Sequence, residues 1–285
     1  MVKKLTYCLI TLVLTACTID WIGLVSPPSD TVEKRFDQSM GWNEAHGFIS
    51  LDVPVDNYSF YVGTDIHVDT TVRNLTRMVT NLRNDSNAYF GILTGDLVNQ
   101  PQSFHNFMPA LVFNPLTQSR NDTLFATVGN HDLYFNQWVD YKFYWGTSIY
   151  WFEVKTPNYQ DLYISLDTGS GTLGSKQLKW LRNILSSKRT NYRHCIVYSH
   201  TNLFKQNKGL LPPSSMTLEE TFEITQLMSE NKVDIFLQGH NHFREILLFK
   251  NVLYITVDAM RDSSKEPYYM VATCNEGIDY KFVAL

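Results

Sequence analysis

Five short apolar runs in this sequence each end in a small group of Asp, Asn or His residues, and this repeated arrangement constrains the fold strongly. The five groups are Thr64-Asp65-Ile66-His67, Gly95-Asp96-Leu97-Val98-Asn99, Gly129-Asn130-His131-Asp132, Ser199-His200 and Gly239-His240-Asn241-His242. In α/β sheets, ligands bind beyond the carboxyl ends of the strands. The pattern therefore predicts strands whose ends meet at one edge, with the polar residues gathered in a single crevice.

Strand-like and helix-like segments alternate from residue 58 onward. Apolar residues recur on one helical face over residues 72–82, and Thr217 with Glu220 forms a capping box before another amphipathic segment. Successive strands without helices follow over residues 243–283. This order predicts an α/β fold, a four-layer α/β/β/α sandwich in which two mixed sheets pack face to face with helices outside.

The N-terminus has the pattern of an export signal. Lys3 and Lys4 precede an apolar run over residues 5–16, which is shorter than the ~20 residues that a membrane-spanning helix needs. The run ends in Leu-Thr-Ala-Cys, which resembles the lipobox of bacterial lipoproteins and implies that Cys17 becomes a lipidated N-terminus. The alternative is an ordinary signal peptide with an incidental cysteine. The lipobox predicts an exported protein, lipid-anchored to a bacterial membrane on its periplasmic or cell-surface side.

Composition divides the chain into three parts. Residues 1–16 form the predicted signal peptide, residues 17–47 a lipid-anchored tether with little periodicity, and residues 48–285 a single domain. The apolar residues Trp21, Ile22, Leu24 and Val25 leave open that part of the tether docks on the domain. Without the two lysines of the signal, 22 basic residues face 28 acidic ones, a formal net charge of −6. Such a chain has no basic surface for nucleic acid, so no nucleic-acid partner is expected.

Each polar group at a strand end has a structural explanation when it is taken alone. Asp65 and Asp96 could cap helices, Asn130 could favour a turn, and His200 could be a core histidine. However, five of the eight histidines fall within these groups. Imidazole nitrogens combined with carboxylate and amide oxygens are typical ligands of divalent metal ions. Taken together, the groups indicate a hydrolytic metal centre.

The motifs D-x-H, G-D-x-x-N, G-N-H-D, H and G-H-x-H resemble those of the calcineurin-like metallophosphoesterase superfamily, over about residues 58 to 250. The resemblance implies a metal-dependent phosphoric ester hydrolase, either a phosphatase or a phosphodiesterase. Its cofactors would be two divalent ions: Mn, Fe, Zn or a mixed pair. For the first ion the resemblance implies the ligands Asp65, His67 and His242. For the second it implies Asn130, His200 and His240, and Asp96 would bridge the two ions.

The same resemblance implies a mechanism. A hydroxide that bridges the two ions would attack phosphorus in line, because metal binding can lower the pKa of water from ~15.7 to ~7. His131 would face the leaving-group oxygen and assist its departure, and Asp132 would orient His131. Two positions depart from the family pattern. Asn99 stands where purple acid phosphatases carry a ligand tyrosine, which argues against a purple site, and Asn202 stands where many members carry proline.

The motifs leave the substrate open. The expected partner is a phosphorylated small molecule, but the same ligands serve monoesters and diesters. Two other functions are compatible with the sequence: a hydrolase of a pyrophosphate bond in a nucleotide or lipid, and a noncatalytic lipoprotein that keeps the fold as a binding module.

Three further features have two interpretations each. The aromatic segment over residues 134–152 could line the substrate pocket or pack in the core. Asp167 could shape a turn or bind metal, and the turn is favoured. Arg244 could contact a substrate phosphate or lie in solvent.

Overall fold

Two β-sheets form the centre of the molecule. The structure is a computed structural model and describes residues 30–68, 71–99, 103, 123–204 and 216–285. Their strands, in chain order, are β1 Ile49–Asp52, β2 Tyr58–Gly63, β3 Ala88–Leu93, β4 Thr123–Ala126, β5 Tyr150–Lys155, β6 Gln160–Ser165, β7 Cys195–Tyr198, β8 Ile235–Gln238, β9 Glu245–Phe249, β10 Val252–Thr256, β11 Tyr268–Cys274 and β12 Ile278–Ala284.

The helices flank these sheets. In the described part of the chain they are α1 Val32–His46, α2 Arg73–Asn84, α3 Trp138–Trp145, α4 Gly174–Lys188 and α5 Leu218–Glu230, with short 3-10 helices at His131–Asn136 and Arg189–Asn191. The capping box predicted before α5 is present in part. The Thr217 side chain accepts a hydrogen bond from the Glu220 amide, but the Glu220 carboxylate accepts from the Leu173 amide instead of from residue 217.

The strand order explains why polar motifs from distant parts of the chain meet. One sheet has seven strands in the order β1-β5-β6-β7-β8-β10-β9, and the other has five in the order β12-β11-β2-β3-β4. The pairs β2–β3, β3–β4 and β7–β8 are parallel. The carboxyl ends of these parallel strands therefore lie at the same edge of each sheet.

Three apolar clusters hold four layers together, as predicted. The central cluster lies between the sheets and contains stacked aromatic rings such as Phe125 and Phe152, whose centroids are 3.8 Å apart. A second cluster joins α2 and α3 to the outer face of the five-stranded sheet. A third joins α4 and α5 to the outer face of the seven-stranded sheet. The α/β sandwich of two mixed sheets is confirmed.

The predicted tether is wrong for residues 32–46, because α1 packs against α4 and belongs to the folded domain. Its Arg35 is 1% exposed and binds Asp167 through two hydrogen bonds of 2.7 and 3.0 Å. At the edge of the same interface, the Glu33 carboxylate accepts a hydrogen bond from the Ser175 amide in the first turn of α4. The domain boundary therefore lies before residue 32 and not at residue 48.

The predictions for the N-terminal segment concern residues that the structure does not describe. The signal peptide 1–16 and Cys17 lie outside the described residues. Within the described ranges, no helix has both the length and the apolar character needed to cross a membrane. Cys195 and Cys274 are buried free thiols, as expected for two small core residues.

Candidate metal centre

The site lies at the carboxyl ends of five strands, where the two sheets meet. The turns after β2, β3 and β4 approach the turns after β7 and β8 from the opposite sheet. Hydrogen bonds cross this junction: the His240 amide donates to Asp65 Oδ2 at 2.9 Å, and His200 Nδ1 lies 2.8 Å from the Thr94 carbonyl oxygen. The junction of the sheets therefore gathers all five motifs.

Two groups of ligand atoms form within this junction, and they share one carboxylate. Within each group the potential ligand atoms lie within 4.8 Å of one another. The first group consists of Asp65, His67, Asp96 and His242. The second consists of Asp96, His200 and His240. Asp96 stands in the position expected of a bridging ligand.

Asn130 joins the second group through its side-chain oxygen. Its Oδ1 lies 3.0 Å from His240 Nδ1 and 3.1 Å from His200 Nε2. Its amide nitrogen donates to the Tyr134 hydroxyl at 2.9 Å, which turns the oxygen toward the two imidazoles. The structure thus brings together all seven side chains that the motifs nominate as ligands.

The atoms that face each other in the first group are electron-rich, which suits a cation. His67 Nε2 lies 3.1 Å from His242 Nε2, and the buried Asp65 Oδ1, 3.3 Å from the same His242 nitrogen, has no hydrogen-bond partner among the described residues. His67 Nδ1 lies 3.1 Å from Asn99 Oδ1, an acceptor, so the ring proton sits on Nδ1 and Nε2 is free for a metal ion. A divalent cation would compensate these buried lone pairs, and the residues fit the metal pair that the motifs imply.

The second group shows the same demand for positive charge. Burial lowers the pKa of His200, but the adjacent Asp96 carboxylate outweighs this effect and raises it to about 9. For His240, burial and the neighbouring His200 lower the pKa to about 4, so this imidazole is neutral and able to bind metal at neutral pH. A proton on His200 and a metal cation in the site would each neutralise the negative charge of Asp96.

The backbone at the site is strained. Positive φ angles occur at five of the seven candidate ligands, namely Asp65, His67, Asp96, His240 and His242, with values from 46° to 72°. Residues other than glycine are uncommon in this left-handed region, and such strain persists where surrounding structure over-determines the conformation. The turns therefore hold these ligands in conformations that the residues themselves do not favour.

Two glycines of the motifs allow this close packing. Gly95 has φ +89°, and a Cβ there would lie 2.8 Å from His200 Nδ1. A Cβ at Gly239 would collide with the Thr64 hydroxyl. At both positions a side chain would push a ligand-bearing turn away from its neighbour.

His131 lies beside the first group of ligands. Its ring centroid is 4.5 Å from that of His67 in an edge-to-face arrangement, and its amide donates to Asp96 Oδ1 at 2.8 Å. Burial lowers the pKa of His131, which makes the protonated ring a stronger acid.

Asp132 has a different role from the one predicted. Among the described residues, its carboxylate accepts hydrogen bonds from the amides of Leu97, Val98 and Gly129, at 2.8, 3.2 and 2.8 Å, and not from His131. It therefore braces the turn after β3 against the turn after β4. Burial, helped by the nearby Asp96, raises the pKa of Asp132 to about 8.

Asp167 and Arg244 each pair with a residue outside the two ligand groups. Asp167 binds Arg35, so it serves structure rather than metal. Arg244 donates from Nε to Asp258 at 2.9 Å, pairs with the same carboxylate through Nη2, and lies 3.7 Å over the Phe282 ring. Asn99, which departs from the family pattern, orients His67.

Asn202 also has a definite structural place. Its side-chain nitrogen donates to Glu245 Oε2 at 3.1 Å, and the same carboxylate oxygen accepts from Asn241 at 2.7 Å. Asn241 stands between the two histidines of the last motif. Glu245 and Asn202 therefore support the turn that carries His240 and His242, a contact that no local sequence pattern indicates.

Comparison with known proteins agrees with this geometry. The family described as calcineurin-like phosphoesterase matches residues 58–244. No curated protein matches the chain. A dimetal phosphatase from Danio rerio superposes with a TM-score of 0.58 at 13% identity, over 81% of this chain and 96% of that one.

Two other solved structures share the fold. GAP50, the anchor in the inner membrane complex of Plasmodium, gives a TM-score of 0.60 at 16% identity, over 80% of this chain and 84% of that one. A putative 5'-nucleotidase from Staphylococcus aureus gives 0.54 at 19% identity, over 80% of this chain and 54% of that one. At these identities the likeness concerns the fold alone.

Proposed function

Because the chain belongs to the calcineurin-like phosphoesterase family, and is thus a metal-dependent phosphoester hydrolase, we propose that it cleaves its substrate by in-line displacement at a two-metal centre. The observation that carries this proposal is the pair of ligand groups that share Asp96. Two adjacent cation sites are the arrangement that clamps the attacking and leaving oxygens of a phosphoryl transfer.

The side chains divide the work of the reaction. Asp65, His67, Asp96 and His242 would hold one ion, and Asp96, Asn130, His200 and His240 the other. When bound, two divalent ions supply a hydroxide nucleophile at neutral pH and neutralise charge on the phosphoryl group.

His131 is the proposed leaving-group residue. It is adjacent to His67 but lies outside both ligand groups, so its ring is available to the substrate. A protonated His131 would donate its proton to the departing alkoxide oxygen. Asp132 would act indirectly, since its hydrogen bonds hold the turns that carry Asp96 and His131.

Removal of metal tests the proposal directly. We expect the purified full-length protein to lose at least ~100-fold of its hydrolysis of aryl phosphates after chelation, because two metals supply several kcal/mol of transition-state stabilisation. Readdition of Mn, Fe or Zn to the same sample should restore the rate. A chelated protein, verified as metal-free, that still hydrolyses aryl phosphates at the original rate would contradict the proposal.

The substrate proposed is a phosphorylated small molecule. The chain shares its fold with a dimetal phosphatase and with a putative 5'-nucleotidase. A panel of monoesters, diesters and pyrophosphates, assayed with each metal, separates the possibilities. Turnover of pyrophosphates alone would favour the pyrophosphate-bond hydrolase. Absence of turnover across the panel by the metal-loaded protein would favour the noncatalytic binding module.

We further propose that the protein is exported and anchored to a bacterial membrane through lipid on Cys17. The support is the apolar run that ends in Leu-Thr-Ala-Cys at residues 14–17. Acyl chains contribute ~0.8 kcal/mol per buried CH₂, so a multiply acylated cysteine would hold the domain firmly on a membrane surface.

Replacement of the cysteine tests the anchor. A Cys17→Ser variant is expected to lose incorporation of a labelled fatty acid and to leave the detergent-soluble membrane fraction. Cys8→Ser is the matched control, because residue 8 lies in the part that cleavage removes, and it should remain labelled. Equal labelling of the Cys17→Ser variant and the wild type would show that the anchor is elsewhere.

A further inference from the structure

A row of aromatic rings leads from the metal centre to the surface. The ring of His131 lies 4.6 Å from that of Tyr134, and the ring of Tyr134 lies 6.5 Å from that of Phe135 in an edge-to-face arrangement. The row begins at His67, the ligand that contacts His131. It is therefore continuous with the site described above.

Phe135, the outermost ring of this row, is placed against its own preferences. Its side chain is 81% exposed, and its backbone is left-handed with φ 54° and ψ 33°. A left-handed bulky residue is a conformational outlier, and an exposed phenyl ring has lost the benefit of burial. Two costs at one residue beside a catalytic centre point to a functional constraint.

The turn that carries Phe135 is held by specific contacts. The Tyr134 hydroxyl accepts from Asn130, and the buried Gln137 side chain donates to the His131 carbonyl oxygen at 3.1 Å. The Gln137 amide also donates to the Tyr134 carbonyl oxygen at 3.1 Å. These bonds fix the turn that carries Phe135 relative to Asn130 and His131.

Most aromatic residues of the same segment have an ordinary structural role. Trp138, Tyr141 and Tyr150 are at most 6% exposed and belong to the apolar clusters or bond to the Ala126 carbonyl oxygen. Phe135 and Phe143 differ, with 81% and 78% exposure. The segment is therefore largely core, and Phe135 is the exposed end of the row of rings that begins at His67.

We propose that Phe135, together with Tyr134, forms a platform for a planar aromatic ring in the leaving group of the substrate. This inference rests on the proposed function, in which His131 faces that leaving group. The substrate class is then a phosphoester that carries a nucleobase or an aryl ring. Stacking of a base on an aromatic side chain is sequence-tolerant and contributes substantially to binding.

A membrane surface is the competing occupant. Phe135, Val139 and Phe143 are all exposed, and they recur at intervals of four residues. A lipid surface would use all three, whereas a substrate ring at the site would use only Phe135. Phe143 instead contacts Tyr144, at 5.0 Å between ring centroids, and is not part of the row that leads to His131. Continuity with the site therefore favours the substrate.

The test compares two substrates in matched variants of the metal-loaded full-length protein. Phe135→Ala is expected to lower kcat/KM about tenfold for adenosine 5'-monophosphate and less than twofold for glycerol phosphate. Phe135→Trp should retain turnover of the nucleotide. Phe143→Ala is the control, because this residue is similarly exposed in the same segment, and it should leave both values unchanged.

Each other outcome overturns the inference in a recognisable way. If Phe135→Ala lowers kcat/KM equally for both substrates, or for neither, the platform is contradicted and the proposed phosphoester hydrolysis is not. Weaker sedimentation of both Phe135→Ala and Phe143→Ala with phosphatidylglycerol vesicles, at unchanged nucleotide turnover, would assign the surface to lipid. A metal-loaded wild type that hydrolyses neither ester, nor any other phosphoester, would contradict the proposed function itself.

Discussion

Replacement of His240 by alanine is expected to remove one of the two metal ions and to lower kcat on the order of 10³-fold. The imidazole reaches Asn130 Oδ1 at 3.0 Å and His200 Nε2 at 3.3 Å, so it completes the second ligand group. Without one of the two ions, the site loses part of the charge stabilisation of the transition state, which is worth several kcal/mol. Metal analysis and steady-state kinetics on the same preparation measure both effects.

The change should be confined to one ion. Asp65, His67 and His242 form the other group without His240, so about one ion per chain should remain. His46→Ala is the control, because this exposed histidine stacks on Trp42 and belongs to neither ligand group; the variant should keep both ions and full activity. Two bound ions and undiminished hydrolysis in His240→Ala would contradict the assignment.

Replacement of Arg35 by alanine is expected to destabilise the domain by about 3–5 kcal/mol, the usual cost of breaking a buried ion pair from one side. Arg35 and Asp167 are 1% and 0% exposed, so the variant would leave a carboxylate buried without its guanidinium. The resulting drop in melting temperature should be roughly 10 °C for a domain of this size. Thermal unfolding followed by circular dichroism measures it.

An exposed ion pair at the same helix interface supplies the control. Lys176 of α4 binds Asp37 of α1 at 2.6 Å, with about half of each side chain in solvent. Surface pairs contribute little, so Lys176→Ala should melt almost with the wild type. If Arg35→Ala also melts within 2 °C of the wild type, a margin of about 1 kcal/mol, the buried pair does not hold α1 in place.

The layered fold could be predicted because the strands that build it follow simple rules. Residues 58–63, 88–93 and 195–198 are runs of buried residues, and each is followed by polar residues at the sheet edge. Strand β1 and its parallel pairing with β5 could not be predicted. A short edge strand has little apolar pattern, and its partner is decided by contacts far away in sequence.

Helix α1 has no pattern in the sequence that would predict it, and the reason is physical. Its buried residues are Arg35 and Ser39, so the side that faces the domain carries polar groups and not an apolar stripe. Hydrophobic periodicity cannot detect such a helix, because its docking depends on a charge partner, Asp167, more than a hundred residues away. The turn predicted at Asp167 is compatible with the contact to Arg35, but a turn pattern gives no information about a distant partner.

The candidate ligands are easier to infer than their supports. The residue types His, Asp and Asn, and their spacing at strand ends, indicate a metal site. The partners of Asp132 are backbone amides of two separate turns. Almost every residue has a backbone amide, so the sequence does not indicate which amides bind this side chain. The motif therefore suggested a role beside His131, whereas the carboxylate secures the turns instead.

The docking of α1 decides where the chain can be cut without loss of the enzyme. Proteolysis before residue 30 would release a domain that keeps Arg35 against Asp167 and Glu33 against the first turn of α4. Cleavage after His46 would remove both partners, and Asp167 is two residues from Gly169, which packs against the turn of Gly129. Release of an intact domain by proteolysis therefore requires a cut before this helix.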